Sequence, residues 1–458
     1  MTLVGLGVVA DDLTGAMDTG VQFRRSGAAC VVYLTPAALS GDGSGDGNRG
    51  GAGCCRADDG VGVGVGEHIP CVLVANTDTR NRPAEEARRT VEAVCGGLKR
   101  RGVTSVYKKI DSTLRGNIGV ELDAVMDCIG SRFACVVPAF PALGRTTIGG
   151  NMLLNGRPVK DTEISTDALS PVRDSHVPTV LRRQSRRLVG EIPLEQVRQE
   201  VDALAGCMRQ AISRGVEIVV IDSQTQLDLD SVAAAAAGLG IPTVMCGSAG
   251  LALGIVNSMD RPGPSEVPGP LPSSPEASRG LRASRAKPAV IVIGSRSRVS
   301  VGQLDYLKAR APVVHFDLGM DELEATGGQR LEYITKALAD GCDVVLSATA
   351  VPPCPGYGSD KIVAGLGGVV RQSLEVLGSC SLILTGGDTA VGVCSQLGAS
   401  RIILAGEILP GMPMGTLAGG PFDGITVVTK AGAFGDATAL LQALRYVRNG
   451  ARGDALEV

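Results

Sequence analysis

Three polar clusters in the first half of the chain contain the residue types needed to bind a polyhydroxy acid. Each follows a short apolar run and combines carboxylates or cations with hydroxyl groups. The clusters are Asp11, Asp12 and Thr14; Asn76, Asp78, Thr79 and Arg80; and Lys109, Asp111, Ser112 and Arg115. Carboxylates accept hydrogen bonds from sugar hydroxyls, and arginine binds a carboxylate or phosphate through paired hydrogen bonds. One aspartate could also take the proton from an attacking hydroxyl.

Helix capping is the alternative explanation for these residues. Asp and Thr directly after a strand commonly cap the next helix, so Asp12 and Thr14 alone would not identify a site. We favour a binding site because three such clusters follow three separate apolar runs. Since side chains alternate along a strand, at most one of the adjacent Lys108 and Lys109 is expected to point at the site.

Glycine-rich segments follow the apolar runs of the second half. Glycine lets backbone amides approach phosphate oxygens, and a helix N-terminus adds a favourable dipole. Such glycines often serve turns alone, but four segments in one half favour a nucleotide phosphate site. The candidate residues are Ser295, Ser297, Gly386, Gly387, Asp388, Thr389, Gly406, Glu407, Gly432, Phe434 and Gly435.

Several motifs of other enzyme classes are absent from the sequence. There is no G-x-x-x-x-G-K-[ST] of a P-loop enzyme, and no G-x-G-x-x-G after the first apolar run, which disfavours NAD. There is no G-x-S-x-G and no H-E-x-x-H. The three histidines lie far apart in the chain, so we expect neither a histidine metal site nor a histidine-based triad.

The composition narrows the class of protein further. A chain of 458 residues predicts two or three domains. A net charge of −3, 3% aromatic residues and no Trp argue against a nucleic-acid partner. No apolar run is long enough for a membrane span, and residues 1–10 lack the basic start of a signal peptide. The 13 scattered cysteines are typical of reduced thiols in a cytoplasmic protein.

Short apolar runs alternate with helical stretches along the chain, which predicts an α/β fold with mostly parallel, doubly wound sheets. The composition predicts an N-terminal domain over 1–258, with a Gly-rich insertion at 38–66. A Pro- and Ser-rich linker over 259–287 would precede a C-terminal domain over 288–458. We expect the active site in the cleft between the two domains.

The motifs resemble those of the four-carbon acid sugar kinase family along nearly the whole chain. Residues 9–16 resemble its opening motif ADDxTGA, residues 109–117 its motif KxDSTLRGN, and residues 138–150 the segment that follows. Residues 386–389, 406–411 and 430–435 resemble its later motifs. The sequence departs from the family at Asn76, where an acid is common.

The resemblance implies a kinase that uses ATP and Mg²⁺ to phosphorylate threonate, erythronate or 3-oxo-tetronate, with the acid on the first domain and the nucleotide on the second. It implies catalytic roles for Asp12, Lys109, Asp111 and Arg115, while the residues themselves suggest no metal site of the protein. It implies acid binding by Asp11, Asp12, Thr14, Asp78, Thr79, Arg80 and Ser112. The glycine-rich set of the second half would bind ATP, and a homodimer is a family-level expectation. The rival hypotheses are an NAD(P)-dependent oxidoreductase and a non-catalytic sensor of sugar acids.

Overall fold

A computed structural model describes residues 3, 5–40, 71–167, 169–259, 287–294, 297–325, 328–349 and 359–449. The chain divides into two compact units, Met1–Ser265 and Glu266–Val458. Most of the predicted linker, most of the predicted insertion and Ser295 lie outside the described residues. Residues 38–40 of that insertion instead belong to a short helix, in which Leu39 is 3% exposed and packs into the core.

A parallel sheet of eight strands forms the centre of the first unit, in the order β2-β3-β1-β4-β11-β5-β10-β9. A small antiparallel sheet holds β6, β7 and β8. The strands of this unit are β1 (Leu6–Ala10), β2 (Ala29–Tyr33), β3 (Cys71–Asn76), β4 (Ser105–Lys109), β5 (Phe133–Val137), β6 (Arg145–Ile148), β7 (Asn151–Leu154), β8 (Arg157–Pro158), β9 (Val189–Ile192), β10 (Ile218–Ile221) and β11 (Thr243–Gly247). The apolar, fully buried runs of β1 and β10 are typical of strands covered on both faces.

Helices connect and cover these strands. They are α1 (Leu13–Arg24), α2 (Pro36–Ser40), α3 (Ala84–Arg100), α4 (Ile118–Ile129), α5 (Val177–Gln184), α6 (Leu194–Val197), α7 (Val201–Ser213), α8 (Gln226–Ala237) and α9 (Ala249–Ser258). α3 has the two-faced pattern of a helix packed on a sheet. It buries Ala87, Val91, Val94 and Leu98 on one face, with acidic residues in its first turn and basic residues in its last.

The second unit holds seven strands among its described residues, in the order β13-β14-β12-β15-β18-β17-β16. The first five are parallel, and β17 runs antiparallel to both of its neighbours. The strands are β12 (Ala289–Ile293), β13 (Val313–Asp317), β14 (Asp343–Ser347), β15 (Ser381–Thr385), β16 (Arg401–Glu407), β17 (Pro413–Ala418) and β18 (Thr426–Lys430). The helices are α10 (Arg298–Lys308), α11 (Met320–Glu324), α12 (Arg330–Ala339), α13 (Ser359–Leu377), α14 (Gly387–Gln396) and α15 (Ala439–Asn449). The predicted α/β class with mostly parallel sheets is confirmed.

Each sheet has a topological switch point, where neighbouring strands connect to opposite sides. In the first unit it lies between β1 and β4, and in the second between β12 and β15. Ligands of open α/β sheets bind beyond the carboxyl ends of the strands at such points. The predicted polar clusters lie at the ends of β1, β3 and β4, and the glycine-rich segments lie at the ends of β12, β15, β16 and β18.

Two further expectations concern the thiols and the membrane. Among the described residues, no helix combines the length and the apolar character that crossing a bilayer requires. Nine cysteines of this part of the chain are free thiols. Cys71 is disulfide-bonded, so the expectation that the cysteines are reduced is wrong at this position.

Candidate active site

The switch point of the first unit brings the three polar clusters together. Ala10, the last residue of β1, pairs in register with Asn76 of β3 on one side and Lys109 of β4 on the other. Because these strands are parallel, the residues that follow them emerge at the same edge of the sheet. The sequence could predict this convergence because each cluster directly follows an apolar run.

Arg80 joins the first two clusters through two ion pairs. Its Nε lies 2.7 Å from Asp11 Oδ2, and its Nη2 lies 2.6 Å from Asp12 Oδ1. The backbone carbonyl of Asp11 also accepts hydrogen bonds from the amides of Thr79 and Arg80. The loop after β3 is therefore fixed against the loop after β1 by both side chains and backbone.

Asp12 also caps α1, so the capping alternative is correct for this contact. Its Oδ1 accepts from the Gly15 amide at 3.1 Å, and its Oδ2 accepts from Thr14 Oγ1 at 2.5 Å. Burial alone would raise the pKa of Asp12, but the positive charges of Arg80 and Lys109 outweigh it and lower that pKa. Asp12 is thus an ionised carboxylate between two cations as well as a helix cap.

Lys108 and Lys109 point to different surroundings, as the alternation along β4 predicts. Lys109 Nζ donates to Ile110 O at 2.8 Å, whereas Lys108 Nζ forms a buried ion pair with Glu121 Oε2 at 2.7 Å. A Cβ placed on Gly15 would lie 2.5 Å from Asp12 Oδ1 and 2.6 Å from Lys109 Nζ. The absence of a side chain at Gly15 therefore leaves room for this carboxylate and this ammonium group beside the start of α1.

Asp111 is the most heavily bonded carboxylate of the third cluster. Its Oδ2 accepts from Arg115 Nε at 2.7 Å and from Thr113 Oγ1 at 2.5 Å, and its Oδ1 accepts from Arg115 Nη2 at 3.3 Å. Arg115 also bonds Asp167 Oδ2 at 3.2 Å. Burial opposes ionisation, but the charges of Arg115 and Arg80 hold the pKa of Asp111 well below its usual range. The carboxylate is therefore ionised at neutral pH.

The remaining predicted residues of this unit differ in their exposure. Asp78 is exposed, adopts a positive φ of 52° and lies 3.5 Å from Arg82. Thr79 is 1% exposed, and its hydroxyl is hydrogen-bonded to that of Thr77 at 2.7 Å. Ser112 is 6% exposed. The structure therefore brings Asp78 to the surface of the site, while Thr79 lies in the layer behind it.

A cavity of about 370 Å³ adjoins this cluster, and most of the charged residues that line it are arginines. Its lining includes Arg80 and Arg115, which also contact the site aspartates. The other charged residues of the lining are Arg82, Arg173, Arg183 and Asp174. Arg183 bonds Asp174 at 3.2 Å. With five arginines against one aspartate, this cavity is suited to an anionic ligand.

Arg145 and Asp167 are residues near this site to which the sequence assigned no role. Arg145 is 8% exposed and interacts electrostatically with both Asp111 and Arg115. Burial is the main reason that the pKa of Arg145 is lowered. Arg145 lies in the segment 138–150, which resembles a family motif, and that position was the available signal for it.

In the second unit, the segments after β12, β15 and β18 lie together. Ser297 caps α10 and donates its hydroxyl to Gly432 O at 2.7 Å. The Gly386 amide donates to Lys430 O at 2.8 Å, and a side chain at Gly294 would collide with Thr389. Gly387 and Asp388 form the first turn of α14. The predicted phosphate-binding segments thus meet at one sheet edge.

Gly406 and Glu407 end β16. The loop that follows them contacts Phe434, in the segment after β18. Glu407 Oε1 accepts from the Gly411 amide at 2.8 Å. Gly411 has a positive φ of 78°, and a Cβ there would lie 2.5 Å from the ring of Phe434. Sequence reasoning missed Ser300, Gln303 and Lys430, whose side chains all contact the segment around Phe434.

Comparison with known proteins agrees with this division of roles. A sugar-binding N-terminal domain matches residues 6–255, and a nucleotide-binding C-terminal domain matches residues 290–440. The chain is 32% identical to a D-threonate kinase of Bordetella bronchiseptica, over 97% of each chain. It is 29% identical to a D-erythronate kinase of Heliobacterium modesticaldum, over 96% of each.

A solved structure from Salmonella typhimurium LT2 shares the fold with a TM-score of 0.71 at 23% identity. The match covers 96% of this chain and 98% of that one. The two domain matches together span most of the chain, and the full-length likeness to a D-threonate kinase exceeds 30% identity. The protein therefore belongs to the four-carbon acid sugar kinase family.

Proposed function

We propose that the protein is an ATP-dependent kinase that phosphorylates the terminal 4-hydroxyl of D-threonate or D-erythronate. The observation that carries this proposal is the cluster at the ends of β1, β3 and β4, where ionised aspartates alternate with Arg80, Lys109 and Arg115. This cluster lies in the sugar-binding domain of a kinase family. The charges suit an acid that carries several hydroxyl groups.

The acid's carboxylate would bind the arginines of the basic cavity. Arg80 and Arg115 both line the cavity, and bonds to aspartates hold the guanidinium group of each in place. A planar guanidinium group held in this way is preorganised for a carboxylate and loses little freedom on binding. The hydroxyl groups would bind Asp11, Asp12, Thr14 and Asp78, with Thr79 and Ser112 supporting them from behind.

Phosphoryl transfer depends mainly on alignment and charge neutralisation. Asp12 or Asp111 would accept the proton of the attacking hydroxyl, since the positive charges around both keep them ionised. Lys109 or Arg115 would stabilise the transferring group. A weak base suffices because the hydroxyl proton need leave only late in a loose transition state.

ATP would bind the glycine-rich edge of the second unit. Within the described residues, no three His, Cys, Asp or Glu side chains group as a metal site. Mg²⁺ bound to a nucleotide needs only one or two protein carboxylates, because phosphate oxygens and water supply the other ligands. Asp388 and Glu407 are the carboxylates of the predicted nucleotide set. The ion would neutralise charge on the transferring phosphate.

The test is ADP release from a panel of four-carbon acids, with NMR to locate the phosphate on the product. D-Threonate or D-erythronate should give the highest kcat/KM, with phosphate on O4. Asp12→Asn and Asp111→Asn identify the base. Asp127→Asn is the matched control, because the Asp127 carboxylate is exposed. A turnover within a few-fold of wild type in Asp12→Asn would rule out Asp12 as the base. No ADP release with any acid would overturn the proposal.

A 3-oxo-tetronate kinase of the same family is the second candidate, and the same panel distinguishes it. Consumption of NAD(P)H without ADP formation would support the oxidoreductase instead, and acid binding without ATP turnover would support a sensor.

We further propose a cytoplasmic location and a homodimer. Light scattering of the purified protein would test the homodimer. The domain limits of 1–258 and 288–458 and the cleft between them stay predictions, and proteolysis within 259–287 would test those limits.

A further inference from the structure

We propose that Gln303, Ser300 and Lys430 hold the carbonyl groups of the 431–436 loop, so that the loop's amides bind the phosphates of a nucleoside triphosphate. The inference rests on the proposed kinase function and deepens it, because it names the residues that position the phosphate site. Their side chains would not touch the reacting atoms. They are positioning residues, which act through the backbone of the loop.

Gln303, on α10, holds the second half of the loop. Its Nε2 lies 3.0 Å from Phe434 O, 3.1 Å from Gly435 O and 2.7 Å from Asp436 O. The residue is 1% exposed. A buried NH2 group is costly unless it is hydrogen-bonded, and these three carbonyls are the acceptors that the Gln303 NH2 group finds. The sequence of α10 therefore places a donor group beneath three carbonyls of one loop.

Ser300 and Ser297 hold the first half of the loop from the same helix. Ser300 Oγ lies 2.8 Å from Gly432 O, and Ser297 Oγ lies 2.7 Å from it. Ser300 is fully buried. Ser297 also caps α10, so the start of this helix and the direction of the Gly432 carbonyl are set together.

Lys430, the last residue of β18, supplies the remaining contacts. Its Nζ donates to Ala431 O at 2.9 Å, to Phe434 O at 3.2 Å and to Gly432 O at 3.3 Å. The side chain is fully buried, and no carboxylate pairs with it among the described residues. A buried ammonium group without a counter-ion is unfavourable. An anion bound at the loop would supply the missing negative charge.

The orientation of the amides follows from these contacts. In a trans peptide the C=O and N–H groups point in opposite directions, so carbonyls held toward α10 and Lys430 turn the following amides away. Among the described residues, the Phe434 amide donates to Ala431 O, whereas five neighbouring amides donate to no protein acceptor. These are the amides of Gly432, Ala433, Gly435, Asp436 and Ala437. Successive free amides form a concave anion site.

Gln303→Met is the test, because methionine keeps the size of the side chain and loses its donors. We expect the Kd for MgATP, measured by calorimetry without the acid, to rise about tenfold or more. The KM for the acid and kcat at saturating ATP should stay within a few-fold of wild type. Gln442→Met is the control, since that exposed amide bonds the Thr438 side chain and no loop carbonyl.

Ser300→Ala is the second variant, in case Gln303→Met does not fold, and it should raise the Kd for MgATP about three- to tenfold. An unchanged Kd for MgATP in either folded variant would overturn the proposal that these side chains position the loop. An equal loss of kcat and acid affinity would also overturn it, because that pattern indicates general damage. Failure of the proposed kinase function is separate: the wild type would then bind MgATP and phosphorylate no four-carbon acid.

Discussion

Lys108 and Glu121 form an ion pair directly behind the candidate acid site, with Nζ and Oε2 separated by 2.7 Å and side chains 0% and 1% exposed. Lys108 Nζ also donates to Lys109 O at 2.7 Å. The pair therefore joins α4 to the end of β4, where the third polar cluster begins. Burial, opposed by the charge of Lys108, raises the pKa of Glu121.

Removal of one partner of this pair should strongly destabilise the protein. Lys108→Met leaves the Glu121 carboxylate buried without its cation, and we expect a loss of about 3–5 kcal/mol in the free energy of unfolding. The double variant Lys108→Met/Glu121→Leu should recover much of that loss. Denaturant unfolding measures both. Glu92→Gln, in an exposed pair with Arg88, is the control and should cost at most about 1 kcal/mol. Equal losses in this control and in Lys108→Met would contradict the prediction.

Gly15→Ala should reduce turnover more than stability. The new Cβ would lie 2.5 Å from Asp12 Oδ1 and 2.6 Å from Lys109 Nζ, so these two groups would have to separate. We expect kcat to fall by about tenfold or more, since small misplacements of reacting groups are costly. Gly206→Ala, where a Cβ meets nothing within 4 Å, is the control. Full activity of Gly15→Ala would show that the spacing of Asp12 and Lys109 does not matter.

Asp111 should contribute stability that depends on pH. Its pKa is lower in the folded protein than in the unfolded chain, so the contribution is complete above the unfolded value of about 4 and is lost as the pH falls through the folded value. Asp111→Asn should therefore cost about 3 kcal/mol at pH 7 and progressively less below pH about 4. Unfolding of both proteins over this pH range is the measurement. A difference that does not change with pH would refute this interpretation.

Lys430 should make ATP binding depend on pH in the alkaline range. Burial lowers the pKa of Lys430 to about 8, so the free protein carries the ammonium charge below that pH and loses it above. Bound phosphates favour the charged form, and the affinity for ATP should therefore fall as the pH rises through about 8. Lys430→Arg keeps its charge throughout and should remove this fall. Calorimetric titrations from neutral to alkaline pH test both, and an affinity that falls equally in both proteins would exclude Lys430 as the cause.

The sequence predicts those parts of the fold and site that depend on local pattern. The apolar run of β1 and the two-faced pattern of α3 identify their elements without tertiary information. The sequence does not predict β17, because Pro413–Ala418 contains no continuous apolar run, and its pairing with β16 and β18 defines it.

The contacts between side chains in the two candidate sites depend on tertiary packing, which a single sequence does not show. Asp12 and Lys109 could be found because they follow strands. The contact of Arg115 with Asp167 joins residues far apart in the chain, and no local pattern indicates it. Gln303 is an ordinary polar residue of a helix by sequence, and its role appears only through the carbonyls that it contacts.

The central position of β1 has a consequence for folding. The first strand in the chain lies between β3 and β4, so it stays unpaired until much later segments have been made and have docked beside it. Pairings between distant segments are slow to form. Asp12, Arg80 and Lys109 come from these three strand ends, and their convergence requires the completed pairings. The ability to bind the acid should therefore arise late in folding, when β1 has paired with both β3 and β4.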